Sequence, residues 1–375
     1  MPTSMDCVQL TKDILRLNTI NPPGNEEACA LFVAKILEEA GFSVRKHVFG
    51  QARLSLIANI GGVADKPPLC FTGHIDTVPL GAAAWSKDPF AGETDAGKLY
   101  GRGSSDMKSG VAALVAASVA MAPKLAGTPG LELVITASEE TGCEGAFQLL
   151  RDKALGRAGA VVVAEPTSNY PFVGHKGALW LRAKATGVTA HGSMPEKGVN
   201  AIYKAARAIG KMEAFRFTNP PHSIMGQATL NVGTMHAGLN INSVPDEALI
   251  AVDIRTVPNV NHKALLQDLS RKLGSDVTLE TLMDIAPVYT DPENAWIQTV
   301  FDVMGPILGE RPAPRAATYF TDGAPLGQAY GYPPTIILGP GEPHMAHRID
   351  EYCVLDRIEQ SVAAYQEIIA RWCLS

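Results

Sequence analysis

Residues 69–76 read Leu-Cys-Phe-Thr-Gly-His-Ile-Asp, a short apolar run that ends in polar side chains. Similar β-rich runs occur elsewhere along the chain, at 54–60, 131–136, 160–163 and 335–338. Helical stretches, such as residues 109–121, lie between several of these runs. Alternation of this kind predicts an α/β fold with a mostly parallel sheet covered by helices on both faces.

Residues 176–286 follow a different order of elements. The sequence there predicts a strand, a helix, two strands, a helix and a strand, which is the β-α-β-β-α-β order of ferredoxin-like domains. We therefore expect a compact α+β domain, 176–286, inserted into an α/β domain made of residues 1–175 and 287–375. A chain of 375 residues exceeds the size that one hydrophobic core usually serves, so two domains are also expected from its length.

Composition and charge favour a small molecule as the partner of this protein. The chain has 32 basic and 38 acidic residues, and its net charge of -6 gives no electrostatic reason to bind nucleic acid or an anionic membrane. The six cysteines include no CxxC pair, so neither a disulfide framework nor a thiolate zinc site is indicated. Because no signal-peptide pattern or membrane-spanning apolar segment is evident, we expect a cytoplasmic protein.

Metal-ligand side chains follow several of the predicted strands. In a parallel α/β sheet the ligand site lies beyond the carboxyl ends of the strands. In this chain those positions, and a turn before one helix, carry imidazole and carboxylate groups: His74, Asp76, Asp106, Glu139, Glu140, Glu165 and His347. Each group alone has an ordinary explanation as a surface or loop residue, but five separate segments at one sheet edge predict a hydrolytic zinc, manganese or cobalt centre. His344 and His347, three residues apart, leave open two ligands, one ligand or none.

Four motifs around these residues resemble the M20 metallopeptidase family. They are GHIDTVP (73–79), GRGSSDMK (101–108), EETG (139–142) and AHRIDE (346–351). Within the family, the likeness is to acetylornithine deacetylases and succinyl-diaminopimelate desuccinylases. It covers nearly the whole chain, including the inserted domain, and implies a homodimer that pairs through that domain.

The resemblance implies a site for two divalent metal ions, taken as zinc with cobalt or manganese as alternatives. Asp106 would bridge the two ions. His74 and Glu165 would complete one ion, and Glu140 and His347 would complete the other. A bridging carboxylate is physically sensible, because two dications about 3.5 to 4 Å apart repel each other and need shared negative charge.

The resemblance also implies catalytic and substrate-binding residues. Glu139 would be the general base, and Asp76 would orient the first histidine ligand. His191 would reach across the dimer interface to stabilise the oxyanion, although an ordinary loop histidine is the alternative. Asn242 and Arg255 would hold the substrate. Arginine suits an α-carboxylate because its fork binds two oxygens, and a strand-end salt bridge is the alternative for Arg255.

These expectations describe an amidohydrolase that removes the acyl group from an N-acyl amino acid, with N-acetylornithine as the first substrate to consider. Tyr319 and Phe320 are bulky where desuccinylases have a small Gly/Ser-rich run, which favours acetyl over succinyl groups. A desuccinylase, or a dipeptidase or carboxypeptidase of the same family, is the alternative enzyme function. A metal-binding interaction protein without catalysis is a further alternative, and the intact Glu139 argues against it.

Overall fold

The computed structural model of this protein describes residues 5–62 and 65–375. The first four residues of the predicted α/β domain, and residues 63 and 64, lie outside the described part. The chain divides into two compact units. The first unit runs up to Gly174 and also contains Tyr289–Arg315 and Thr321–Ser375, whereas the second comprises His175–Val288 and Ala316–Phe320.

Strands and helices alternate along the described residues. The strands are β1 (Ser43–Gly50), β2 (Arg53–Ile60), β3 (Leu69–His74), β4 (Thr94–Asp95), β5 (Lys98–Tyr100), β6 (Leu131–Thr136), β7 (Ala160–Val163), β8 (Gly174–His175), β9 (Gly177–Thr186), β10 (Thr229–Ala237), β11 (Glu247–Thr256), β12 (Thr278–Ile285), β13 (Val288–Tyr289), β14 (Thr335–Ile337) and β15 (Tyr352–Val354). The α-helices are α1 (Cys7–Leu15), α2 (Glu27–Glu39), α3 (Lys108–Met121), α4 (Glu144–Arg151), α5 (Ala201–Glu213), α6 (His262–Leu273), α7 (Ala295–Leu308), α8 (Gly323–Tyr330) and α9 (Leu355–Cys373). Within the described part of the chain, no helix has the length and apolar character needed to cross a membrane.

A six-stranded sheet is the centre of the first unit. Its strand order is β1-β2-β6-β3-β7-β14, and the last four of these strands run parallel to one another. Every residue of β3, β6, β7 and β14 is buried, as expected for parallel strands covered on both faces. The predicted α/β fold with a mostly parallel sheet is confirmed.

The edge of this sheet differs from the sequence prediction. The predicted run 54–60 lies in β2, which is antiparallel to β6 and forms a hairpin with β1. β1 was not predicted, because its sequence, Ser-Val-Arg-Lys-His-Val-Phe-Gly, is rich in charge and lacks a continuous apolar run. An edge strand with one solvated side tolerates such residues, and its charges protect the edge against pairing with other chains.

Helix α3 lies close against the sheet at the end of β7. A Cβ atom at Gly110 would be only 2.1 Å from the carbonyl oxygen of Ala164. Only glycine therefore permits this approach. The close packing brings the turn that precedes α3, which carries Asp106, towards the carboxyl end of β7, where Glu165 is located.

The second unit has the predicted order of elements, β9-α5-β10-β11-α6-β12. Its antiparallel sheet has the strand order β10-β11-β9-β12, and helices α5 and α6 pack on it through a single apolar cluster that includes Leu181, Ile250 and Leu269. The two central strands, β9 and β11, alternate buried residues with exposed or half-buried ones, as expected for a sheet with one open face. The role of this unit in dimerisation stays a prediction.

The segment Ala316–Phe320 belongs to the second unit, although the sequence groups it with residues 287–375. The backbone N–H of Lys176 donates to the carbonyl of Ala317 at 3.0 Å. The ring of Phe320 packs edge to face against Trp180, with 6.4 Å between centroids. A five-residue segment carries no periodicity, so its place depends on these tertiary contacts and not on its own sequence.

Candidate metal centre

The first unit brings its predicted ligands to one edge of the six-stranded sheet. They come from the end of β3, the turn before α3, and the loops that follow β6, β7 and β14. Buried apolar strands end there and polar loops begin, which is why ligand side chains collect at this edge. The residues are His74, Asp106, Glu139, Glu140, Glu165 and His347.

Asp106 lies between the two histidines. Its Oδ1 atom is 3.2 Å from Nε2 of His74, and its Oδ2 atom is 3.4 Å from Nε2 of His347. Each histidine has a further carboxylate beside it: Glu165 Oε1 is 3.8 Å from His74 Nε2, and Glu140 Oε2 is 3.0 Å from His347 Nε2. The arrangement therefore has two halves that share a single carboxylate.

The ligand atoms are close enough to hold metal ions. His74, Asp106 and Glu140 offer atoms within 4.8 Å of one another, and so do His74, Glu139 and Glu165. Oε1 of Glu140 is buried and has no hydrogen-bond partner among the described residues. A buried acceptor without a partner is costly, and a bound cation would satisfy it. The residues present therefore fit a metal group.

The crowding of buried carboxylates in the cluster also favours a bound cation. Burial raises the pKa of Glu139 well above its usual range, and burial raises the pKa of Glu165 in the same way. Burial, with Asp106 nearby, raises the pKa of Glu140 to about 7. Hydrogen bonds to Asp106 and Glu140 raise the pKa of His347 to about 10. Crowded buried carboxylates are held ionised most easily by added positive charge, which divalent ions supply.

Asp76 is more involved in the site than the sequence indicates. Nδ1 of His74 donates to the backbone carbonyl of Asp76 at 3.0 Å, whereas the nearest carboxylate oxygen is 3.4 Å away. In the neutral ring this hydrogen bond places the proton on Nδ1 and leaves Nε2 of His74 available to a metal. The Asp76 carboxylate instead accepts the backbone N–H groups of Glu139 and Glu140, at 3.0 and 3.2 Å. Asp76 therefore fixes both a histidine ligand and the two adjacent glutamates.

The two C-terminal histidines have different surroundings. His347 contacts Glu140 and Asp106 at the distances given above, within the ligand cluster. His344 has a 60% exposed side chain, and its ring nitrogens lie 3.8 Å from Glu342 and 3.4 Å from the hydroxyl of Tyr352. The structure thus places His347, and not His344, beside the other ligands.

The remaining predicted residues lie in the second unit. The His191 ring accepts from or donates to the Ser193 hydroxyl at 2.7 Å and is exposed. The backbone N–H of Gly192 donates to the carbonyl of Asn242 at 2.7 Å, so the segments that carry His191 and Asn242 are adjacent. Arg255 lies near the end of β11, where its Nε donates to the Asp253 carboxylate at 3.0 Å.

Sequence reasoning missed some polar groups that support the centre. Asn21 is buried and donates from its side chain to Oδ2 of Asp76 at 2.9 Å. Asp322 is also buried, and its Oδ2 accepts from the Thr136 hydroxyl at 2.5 Å. Burial raises the pKa of Asp322 to about 6. Neither residue follows a strand, so the pattern that identified the ligands could not identify these two.

Comparison with known proteins gives a consistent picture. An acetylornithine deacetylase from Proteus mirabilis is 31% identical over 94% of this chain and 91% of its own length. A probable succinyl-diaminopimelate desuccinylase from Staphylococcus epidermidis is 29% identical over 98% of this chain and 97% of its own length. Among solved structures, an M20 family metallo-carboxypeptidase from Sulfolobus solfataricus is similar with a TM-score of 0.81, at 17% identity, over 97% of this chain and 99% of that one.

A family model also matches most of the sequence. The model of peptidase family M20/M25/M40 matches residues 70–371, which include all of the ligand cluster and the whole second unit. The family predicted from the four motifs is confirmed. The chain belongs to peptidase family M20/M25/M40.

Proposed function

We propose that this protein removes the acyl group from a small N-acyl amino acid at a centre of two metal ions, with N-acetylornithine as the first substrate. Membership of the family makes it a metal-dependent hydrolase of amide bonds. The observation that carries the two-ion proposal is the position of Asp106, whose two oxygens face two different histidines.

The distances around Asp106 support the ligand sets that the resemblance implies. His74 and Glu165 would hold one ion with Oδ1 of Asp106, and Glu140 and His347 would hold the other with Oδ2. When bound, two divalent ions, which we take to be zinc, would activate a water molecule and polarise the scissile carbonyl. Imidazole and carboxylate ligands suit zinc, cobalt and manganese alike.

Glu139 is the proposed general base. Its backbone N–H donates to Asp76, and its buried carboxylate accepts a weak hydrogen bond from the Cys143 thiol, 3.8 Å from Oε1. Burial raises the pKa of Glu139 well above its usual range, and divalent ions in the cluster would oppose this shift, so that the ionised carboxylate could accept a proton. We infer that Glu139 takes a proton from the attacking water and gives it to the leaving amine. Its nearness to His74 and Glu165 makes a ligand role the alternative.

The second unit would supply substrate contacts and a dimer interface. Leu239 and Ile241 are almost completely exposed apolar side chains close in sequence to Asn242. Exposed apolar residues of this kind are typical of interaction surfaces. We therefore propose that two subunits pair through this unit and that His191 of each stabilises the oxyanion formed in the other.

Arg255 is the proposed anchor for the substrate carboxylate. Asp253 engages its Nε, and its guanidinium lies 5.9 Å from the centroid of the Phe320 ring. The carboxylate of an amino-acid substrate would accept hydrogen bonds from the remaining N–H groups of the Arg255 guanidinium. Phe320 also packs on Trp180 within the second unit, and we propose that these rings line the acyl pocket. Their bulk favours an acetyl group over a succinyl group.

A panel of substrates tests the proposal. Amine release would be measured with added zinc or cobalt on N-acetylornithine, other N-acetyl amino acids, N-succinyl-diaminopimelate and dipeptides. We expect the highest kcat/KM for an N-acetyl amino acid. A higher value for the succinylated substrate or for a dipeptide would contradict the acyl-group assignment, and no hydrolysis of any amide would contradict the proposed function.

A further inference from the structure

The carboxylate of Glu351 lies beneath the turn that carries Asp106. Its Oε1 accepts the backbone N–H groups of Ser105 and Asp106, at 2.8 and 2.9 Å. Its Oε2 accepts the backbone N–H of Gly103 at 3.1 Å and Nη1 of Arg102 at 2.6 Å. Glu351 is completely buried, so these four donors replace all of the water that the carboxylate would have in solution.

Arg102 extends this contact to two further segments. Its Nη1 also donates to the carbonyl of Arg348 at 3.1 Å, and its Nη2 donates to the carbonyl of Pro79 at 3.2 Å. Arg348 follows His347 directly, and Pro79 belongs to the loop that begins after His74. The Glu351–Arg102 pair therefore joins the three segments that supply the two histidines and the shared carboxylate.

We propose that Glu351 is a positioning residue for the metal centre. It holds the backbone of the Asp106 turn so that the Asp106 carboxylate lies between His74 and His347. This inference rests on the proposed function, since it concerns the same site. Successive backbone N–H groups form a concave site for an anion, and here a carboxylate of the chain itself occupies it. Because the backbone N–H of Asp106 donates directly to the Glu351 carboxylate, a movement of Glu351 would also move Asp106.

A merely structural role is the competing explanation, since breaking a buried ion pair destabilises most proteins. The two roles differ in what they predict for metal binding. Glu26 provides a matched control in the same unit. It is completely buried and binds Arg53 through both oxygens, with Nε at 2.8 Å and Nη2 at 3.1 Å. Its carboxylate accepts no hydrogen bond from the turn that carries Asp106.

The test compares Glu351→Gln and Glu26→Gln with the unchanged protein. Each full-length protein is stripped of metal, checked for folding by circular dichroism, and titrated with Co²⁺ by calorimetry and visible absorption. A group that orients a ligand typically contributes 10- to 100-fold in metal affinity, so we expect Glu351→Gln to bind Co²⁺ about 10- to 100-fold more weakly, with a changed absorption spectrum. We expect Glu26→Gln to lose thermal stability but to keep its Co²⁺ affinity within about threefold.

Equal Co²⁺ affinities and spectra in Glu351→Gln and the unchanged protein would overturn the inference, and so would equal losses in both variants. If Glu351→Gln does not fold, Glu351→Asp replaces it. That variant keeps the charge but withdraws the carboxylate by one methylene, and the same two readouts apply. Failure of the unchanged protein to bind Co²⁺ would instead overturn the proposed function, so the two failures are distinguishable.

Discussion

Oδ1 of Asp76 accepts a hydrogen bond from the backbone N–H of Glu139 at 3.0 Å. Asp76, whose carbonyl accepts from the predicted ligand His74, therefore also fixes the turn that carries the proposed base. A substitution at Asp76 should therefore impair both metal binding and proton transfer.

For Asp76→Asn we expect a loss of about 10- to 100-fold in metal affinity or in kcat, because the amide cannot accept hydrogen bonds at both of its ends. Zinc titration and steady-state kinetics on the same preparation would measure both effects. Asp95→Asn, which changes an exposed carboxylate of the same unit, is the control and should alter neither. Unchanged metal affinity and kcat in Asp76→Asn would show that the hydrogen bonds from the backbone of Glu139 and Glu140 to the Asp76 carboxylate are dispensable.

Glu139→Gln should keep its metal content but lose about 10²- to 10⁴-fold in kcat, because the substitution removes proton transfer and leaves the proposed ligands in place. Metal analysis and kcat would be determined on one preparation. If the metal content fell in step with activity, Glu139 would be a ligand, as its distance to His74 and Glu165 permits.

His347→Ala should lose one of the two metal ions and nearly all activity, whereas His344→Ala should keep both ions. The reason is geometric, since His347 lies within 3.4 Å of two carboxylates of the cluster and His344 contacts neither. Metal titration of the two variants decides between them. Equal losses in both would mean that the second ion binds elsewhere.

Subunits that carry His191→Ala and subunits that carry Glu139→Gln should complement each other when mixed. Each variant alone should be inactive, yet a hybrid dimer would contain one site with its own base and the partner's histidine. Activity would be followed after mixing, and sedimentation would establish that hybrids had formed. Hybrids without recovered activity would mean that His191 acts within its own subunit or is an ordinary loop residue.

Two helical glycines should respond to alanine in opposite directions. At Gly210, in α5, nothing lies within 4 Å of a new Cβ atom, so Gly210→Ala should stabilise the second unit by about 1 kcal/mol. At Gly110 the new Cβ would meet a backbone carbonyl, so Gly110→Ala should destabilise the first unit. Urea unfolding midpoints compared with the unchanged protein would show both shifts. An increase for Gly110→Ala would mean that α3 can move away from β7.

The sequence could indicate which side chains lie together where local pattern and tertiary position coincide. His74 is the last residue of the buried strand β3, and Glu165 lies two residues after the buried strand β7, so the sheet fixes the positions of both and the strand pattern indicates them. Glu351 lies 248 residues from Gly103, to which it binds, and no periodicity relates positions that far apart. The Asp76 carboxylate accepts the backbone N–H of Glu139, which lies 63 residues away in sequence, and this contact could not be predicted for the same reason.

The hydrogen bonds of Glu351 also have a consequence for biogenesis. The ribosome makes the turn around Asp106 early, and the carboxylate beneath that turn is added 248 residues later than Gly103, after the entire second unit has been synthesised. During that interval the growing chain carries an incomplete ligand set that lacks both His347 and the group that fixes the turn. Under the proposed ligand sets, the ion that needs His347 could therefore bind only in the late phase of translation or after it, and a product that ends before His347 would lack that half of the centre.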